Sequence, residues 1–337
     1  MLIKELCNLS GVSGNETEVR NFIKEQITPY ADEIRVDTMG NLIALKKGDP
    51  SKKVMLSSHT DEVGFIISGI NDKGFLEFKT VGGIDTRVII SKKVLVGTKK
   101  IPGVIGMKAI HLQKKSERET VPEVSSLYID IGAKDKDEAQ EHVKIGDYAS
   151  FDTCFEELSD DTFKAKAIDD RVGCAILMEL IKKPVKYDTY FCFTTQEEVG
   201  LRGARVAAHR IMPDIALVIE STTCNDVYGC EEHQFVTNIG GGAVVTFMDR
   251  TTIVDKKLRT WLYESAKAEN IPVQYKRATA GGNDAGRIHL TGEGVKTASL
   301  SVPTRYIHSP CGIASMKDVL ATRNLASLFL DRIDEVI

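Results

Sequence analysis

From residue 163 onward, short apolar runs of β character alternate with longer amphipathic runs of helical character. Residues 187–195, 215–219 and 295–302 read as strands, and 172–181, 203–209, 256–269 and 316–336 as helices. A chain that alternates in this way is satisfied by an α/β sheet covered with helices. Residues 1–65 share the character. Val19, Phe22, Ile23 and Ile27 form one apolar stripe; Asn15 is placed to cap that helix, Glu18 sits three residues on, and Pro29 marks its end. Strand-like runs follow at 34–36, 42–45 and 54–58.

Between these two parts the rhythm breaks. Short β-type pieces at 94–96, 104–105 and 127–131 alternate with turn signals such as Asn71-Asp72-Lys73-Gly74, Gly82-Gly83 and Pro102-Gly103. Only 136–142 looks helical, and the polar stretch 113–123 reads as the longest loop. This is the pattern of a small β-barrel-like domain. The expected organisation is one α/β domain, a helix-covered mixed sheet built from residues 1–67 and 159–337, interrupted by a β-rich insertion at 68–158. At ~150 residues per domain, 337 residues agree with two domains.

Composition narrows the function. The sum of 44 Lys and Arg against 48 Asp and Glu gives −4, which argues against a nucleic-acid or other polyanion binder. Apolar stretches such as 215–219 are far short of the ~18 residues a membrane span needs. Lys4 and Glu5 near the start leave no signal-peptide core, and seven scattered cysteines fit a reduced, cytoplasmic setting.

The chemistry lies where apolar strands run into polar residues. The run 54–58 leads into His59-Thr60-Asp61-Glu62, and 190–195 into Gln196-Glu197-Glu198. The run 215–219 leads into Glu220, and 300–303 toward His308; Asp169-Asp170 precedes the helix 172–181. Ligands of open α/β sheets bind outside the carboxyl ends of the strands. That edge would collect two histidines and at least four carboxylates. Carboxylates crowded at ~4 Å repel strongly, and divalent cations remove that cost. Imidazole and carboxylate ligands suit zinc, cobalt or manganese. Two histidines and three carboxylates, one of them bridging, suffice for two ions ~3.5–4 Å apart. Asp61, two residues beyond His59, is placed to orient the imidazole.

The sequence resembles the co-catalytic metallo-aminopeptidases that include glutamyl, lysyl and tetrahedral aminopeptidases, members of which carry the label cellulase M or endoglucanase. The matching stretches include His59-Thr60-Asp61-Glu62-Val63-Gly64-Phe65, Ala167-Ile168-Asp169-Asp170-Arg171, Gln196-Glu197-Glu198-Val199-Gly200, Gly281-Gly282-Asn283-Asp284-Ala285 and Pro303-Thr304-Arg305-Tyr306-Ile307-His308-Ser309. The resemblance implies a zinc-exopeptidase-like sheet that removes N-terminal residues from peptides. By it, His59, Asp169 and Glu220 would hold one divalent ion, and Asp169, Glu198 and His308 the other. Glu197 would be the general base for a bridging water, and Asp61 would support His59. Zinc or cobalt would be the ions, with manganese as a third choice. It also implies a cis peptide between Asp169 and Asp170, dimerisation through the insertion, and assembly of dimers into a dodecamer. Three positions depart from the family pattern: Glu220 stands where Asp is usual, Asn283 where Thr is common, and Gly312 where a Glu often stands.

Two other enzyme classes compete. A glycoside hydrolase needs two carboxylates ~5–9.5 Å apart across a sugar groove, and Glu197 and Glu198 on a regular strand would point to opposite faces. A related two-metal deacylase would share the core but differ in the inserted domain. Cys224, Cys230 and His233 fit no zinc-knuckle spacing. Gly240-Gly241-Gly242 lacks the Gly-Lys-Ser/Thr ending of a phosphate loop and reads as a turn where backbone passes close to something.

Overall fold

The computed structural model describes residues 1–159 and 161–337. It holds one mixed sheet and one closed barrel. At the heart of the sheet, four strands run parallel: Tyr187–Thr194, Asp49–His59, Ile215–Cys224 and Lys296–Arg305. Antiparallel strands extend both sides, Leu42–Lys46 and Glu33–Val36 on one and Gly312–Ser315, Thr162–Ala165 and Glu156–Glu157 on the other.

Residues along the central strands alternate between two cores, as strand geometry requires. Ile215, Leu217 and Ile219 pack into the larger core with the helices Thr17–Ile27, Ile168–Leu180, Lys256–Ala268 and Met316–Asp331. Ala216 and Val218 face a smaller core under Arg202–Ile211 and Ala285–Ile288. Ala204, Ala207 and Ala208 line that helix, so it approaches the sheet closely.

The barrel closes through Gly64–Ile70, Leu76–Val81, Leu127–Asp130, Ile101–Met107, Lys93–Val96 and Tyr148–Phe151. Its first strand begins before residue 68, because Gly64 and Phe65 already pair with Val81 and Thr80. Phe65 packs edge-on against Phe78 and Phe151 at 5.0 and 5.2 Å. Gly64 is required here: a Cβ would sit 2.4 Å from Val12 and 2.8 Å from the Ala149 carbonyl.

Several elements differ from expectation. Asn15 caps nothing; the helix starts at Thr17, and the buried Glu16 before it turns its carboxylate inward. The strand 215–219 continues to Cys224, because pairing with Lys296–Arg305 persists beyond the apolar run. The stretch 113–123 contains a short helix, Lys115–Glu119. The last helix stops at Asp331, and a 3-10 turn, Ile333–Glu335, follows. The triple-glycine turn does carry a close approach. Gly240 and Gly242 N–H groups donate to the Asp318 carboxylate at 2.7 Å each, and a Cβ on Gly242 would collide with Pro272 backbone at 2.1 Å.

Candidate active site

The parallel strands deliver their ends to one edge of the sheet. Thr194 lies opposite His59, and Glu220 opposite Ser301. Pairing between Asp49–His59 and Ile215–Cys224 stops at Ser57 and Val218, so a crevice opens just before His59 and Glu220. Across it lies the start of Ile168–Leu180, where the Asp169–Asp170 peptide is cis and neither residue has helical angles. His308 joins from the turn after Lys296–Arg305, in the left-handed region at φ 55°.

Glu197 and Glu198 are not on a strand. The strand ends at Thr194, and Gln196, at φ 56°, swings the next residues into a turn. The expectation that these glutamates alternate across a sheet is therefore corrected. The turn sends them to different places. The Glu198 carboxylate reaches His308 Nε2 at 3.1 Å, while Glu197 lines a cleft of about 270 Å³.

Around His59 the distances are specific. Its Nδ1 lies 3.0 Å from the Asp61 backbone carbonyl and 3.4 Å from Asp61 Oδ1. Its Nε2 faces Asp169 Oδ1 at 3.4 Å and Glu220 Oε2 at 3.5 Å. The other Asp169 oxygen, Oδ2, lies 3.5 Å from His308 Nε2. One carboxylate thus stands between two imidazoles. Ligand atoms of His59, Asp169 and Glu198 lie within 4.8 Å of one another, and so do those of His59, Asp170 and Glu220. Asp170 was expected only as the neighbour of Asp169. Its carboxylate also accepts from Ser58 Oγ at 2.5 Å and Gly173 N at 3.1 Å, which fixes it at the head of the helix.

Negative charge is in excess. Burial lifts the Glu220 carboxyl well above the usual range, Asp170 adds to it, and His59 opposes. Burial and neighbouring Asp169 push Glu198 up to about 7 against the pull of His308. Burial also lifts Glu197, with Glu198 and Asp284 adding and His59 opposing. Burial works against a charged His308, yet Asp169 and Glu198 carry it to about 9. Asp169 Oδ1 and Glu220 Oε1 are buried with no hydrogen-bond partner. When His59 Nδ1–H is donated to the Asp61 carbonyl, the Nε2 lone pair faces carboxylates, an arrangement that a cation stabilises. The donor set therefore fits divalent metal.

The cleft contains a residue that sequence reasoning missed. Lys276, next to the edge strand Val273–Tyr275, lines it beside Asn283 and Ala280. Its Nζ donates to the Ala280 carbonyl at 3.2 Å; burial lowers its pKa, and Asp249, Glu220 and Asp169 oppose that. Nothing local in the sequence separates it from a surface lysine. Asp284 is fully buried, accepts from Thr194 Oγ1 at 2.5 Å, and is pushed up to about 6 by burial. Gly312 leaves little room: a Cβ there would meet Thr304, Arg305 and Ile168 atoms at 3.2–3.3 Å.

Histidines and carboxylates thus gather at the strand ends of a helix-covered mixed sheet, a donor set suited to a divalent metal. The chain matches the peptidase M42 family, described as M42 glutamyl aminopeptidase, over residues 40–325. It is 32% identical to the lysyl aminopeptidase of Pyrococcus furiosus over 342 residues, covering 98% of this chain and 96% of that one. A TET aminopeptidase from a marine sediment Thaumarchaeota archaeon superposes with a TM-score of 0.95, at 37% identity, over 98% of this chain and 95% of that one. The Pyrococcus horikoshii TET1 peptidase, which can assemble into a tetrahedron or a large octahedral shell, gives 0.88 at 33% identity over 97% and 98%. The chain belongs to the M42 family and is an aminopeptidase, a hydrolase of peptide bonds.

Proposed function

We propose that the enzyme works with two divalent cations, held by His59, Asp169 and Glu220 on one side and by Asp169, Glu198 and His308 on the other. The observation that carries this reading is the Asp169 carboxylate, each oxygen of which faces a different imidazole. When bound, such cations polarise the scissile carbonyl and lower the pKa of the attacking water toward ~7. Glu197 takes the proton from that water and passes it to the leaving amine. Its position on the cleft, rather than against His308, supports that role. The carboxylates around the cleft hold the free amino group of the substrate. Zinc or cobalt is the preferred ion, with manganese as the third.

Lys276 is the one Lys or Arg among the residues lining the cleft, so the reading extends to peptides with an acidic N-terminal residue. Glycoside hydrolysis has no support in this geometry, since two imidazoles share the crevice with the carboxylates. The segment 68–158 is proposed as the dimerisation domain, with a dodecamer as the full assembly. Val104, Ile110, Leu112, Val121 and Ile145 are all exposed apolar residues of that segment. No helix among the described residues is long and apolar enough to cross a membrane. A cytoplasmic enzyme is proposed on the seven cysteines, which are free thiols suited to a reducing setting.

The test is metal analysis of purified protein with a panel of aminoacyl chromogenic substrates in zinc, cobalt and manganese. Two ions per chain and loss of activity on chelation are expected. Asp169→Asn should lower occupancy of both sites; full metal content and activity in that variant would overturn the assignment.

A further inference from the structure

The turn bearing Glu197 and Glu198 is gripped by its backbone. Four consecutive N–H groups are each taken by a side chain from elsewhere. Thr195 N–H donates to Asn41 Oδ1 at 3.0 Å and Gln196 N–H to Glu16 Oε1 at 3.2 Å. Glu197 N–H donates to Asp61 Oδ1 at 3.0 Å and Glu198 N–H to Asp61 Oδ2 at 3.1 Å. The left-handed Gln196 at φ 56° makes this possible. Successive N–H groups in such a turn form a concavity suited to anions, and here the anions are side chains of the protein itself.

Both anions are set by one loop near the N-terminus. Ser13 Oγ donates to Asp61 Oδ2 at 2.6 Å, and Gly14 N–H to Glu16 Oε1 at 2.6 Å. The loop is tied in turn to Glu62: Gly11 N–H donates to Glu62 Oε1 at 2.8 Å, Glu62 N–H to the Gly11 carbonyl at 2.9 Å, and Ser13 N–H to the Glu62 carbonyl at 3.2 Å. Ser13 and Glu16 are each only 4% exposed. The Asp61 carboxylate makes its short hydrogen bonds to Ser13 and the turn; the His59 ring is held closer by the Asp61 backbone carbonyl than by that carboxylate.

We infer that Ser13 and Glu16 are positioning residues for the general base. Through Asp61 and Gln196 they determine where the Glu197 carboxylate sits against the cleft. This rests on the reading of Glu197 as the base. Asp61 also takes the Glu198 N–H, but the Glu198 carboxylate has a second anchor at His308 Nε2, 3.1 Å away, so loosening the strap should affect turnover more than metal binding. A displacement of ~1 Å at a reacting group costs ~10²-fold in rate.

The experiment compares Ser13→Ala, Ser13→Thr, Glu16→Ala and Glu16→Gln with the wild type, each at saturating metal. Ser13→Ala and Glu16→Ala should lose about 10–100-fold in kcat, with KM within about threefold and metal content unchanged. Ser13→Thr keeps the hydroxyl, and Glu16→Gln keeps an acceptor oxygen for Gln196 N–H, so both should stay within about threefold of wild type. In metal-free protein, the amides of 195–198 should exchange with deuterium at least about tenfold faster in the two alanine variants. Unchanged kcat in Ser13→Ala overturns the inference. So does a loss restored by excess metal, or an equal loss in Glu16→Gln and Glu16→Ala. A wild type without aminopeptidase activity would instead count against the reading of Glu197, and the exchange measurement alone would then decide the strap.

Discussion

Glu197 and Glu198 are chemically identical neighbours, and one left-handed residue before them separates their surroundings. Glu198 points at His308 and Asp169, whereas Glu197 opens onto the cleft. On the proposed roles, Glu197→Gln should therefore keep its metal, because Glu197 is not among the proposed ligands. Its amide cannot accept the water's proton, so turnover should fall ~10²–10⁴-fold with little change in substrate binding. Glu198→Gln should weaken one metal site and recover in part with excess metal. Metal content and single-turnover rates measured side by side decide this; a swap of the two phenotypes would reverse the roles. Lys276 carries the second residue-scale expectation. A charge-assisted hydrogen bond to a substrate carboxylate contributes ~1.5–3 kcal/mol, so Lys276→Glu should lower kcat/KM for N-terminal Asp or Glu substrates ~10–100-fold relative to neutral ones. An unchanged ratio between acidic and neutral substrates would remove Lys276 from the specificity pocket.

At the scale of elements, the loops at the strand ends are fastened from below by a buried charged network. Lys166 Nζ reaches both oxygens of Glu62 at 2.7 Å and the Leu9 carbonyl at 2.6 Å. Arg171 joins Glu62 at 3.2 Å and also holds the carbonyls of Thr60 and Leu6. One network thus ties the short N-terminal helix Ile3–Asn8, the loop after His59 and the helix Ile168–Leu180. Removing one member of a buried ion pair costs ~3–5 kcal/mol, because a charge is left uncompensated. Lys166→Met should lose about that much stability in chemical denaturation; a change below ~1 kcal/mol would mean that Arg171 alone compensates Glu62. The strands and helices of the sheet were legible from apolar periodicity, since burial imposes it. The turn at 196–198 was not, because its conformation depends on acceptors from Glu16, Asn41 and Asp61, all remote in sequence.

For the whole molecule, the barrel has its own apolar core and still leaves Val104, Ile110, Leu112, Val121 and Ile145 in solvent. Burying such surface against a second copy is favourable at ~25 cal/mol per Å². Light scattering should therefore report an assembly larger than a monomer at micromolar concentration. Ile110→Glu with Leu112→Glu should shift it toward smaller species while the secondary structure stays the same. A wild type that remains monomeric with and without metal would refute the assembly.

By itself, the sequence determined the alternation of strands and helices, the β-rich insertion and the set of ligand-type residues, because each leaves a periodicity or a polar interruption that is read locally. Their meeting was decided only by the tertiary structure. His59, Asp169, Glu220 and His308 come from four separate elements: the parallel strands bring His59 and Glu220 to one edge, and the start of Ile168–Leu180 and the turn after Lys296–Arg305 bring Asp169 and His308 within 3.5 Å of them or of each other. The different orientations of Glu197 and Glu198, and the entry of Lys276 into the cleft, likewise depend on backbone turns set by distant partners. Hydrogen bonds between residues far apart in sequence leave no local pattern, which is why packing had to supply them.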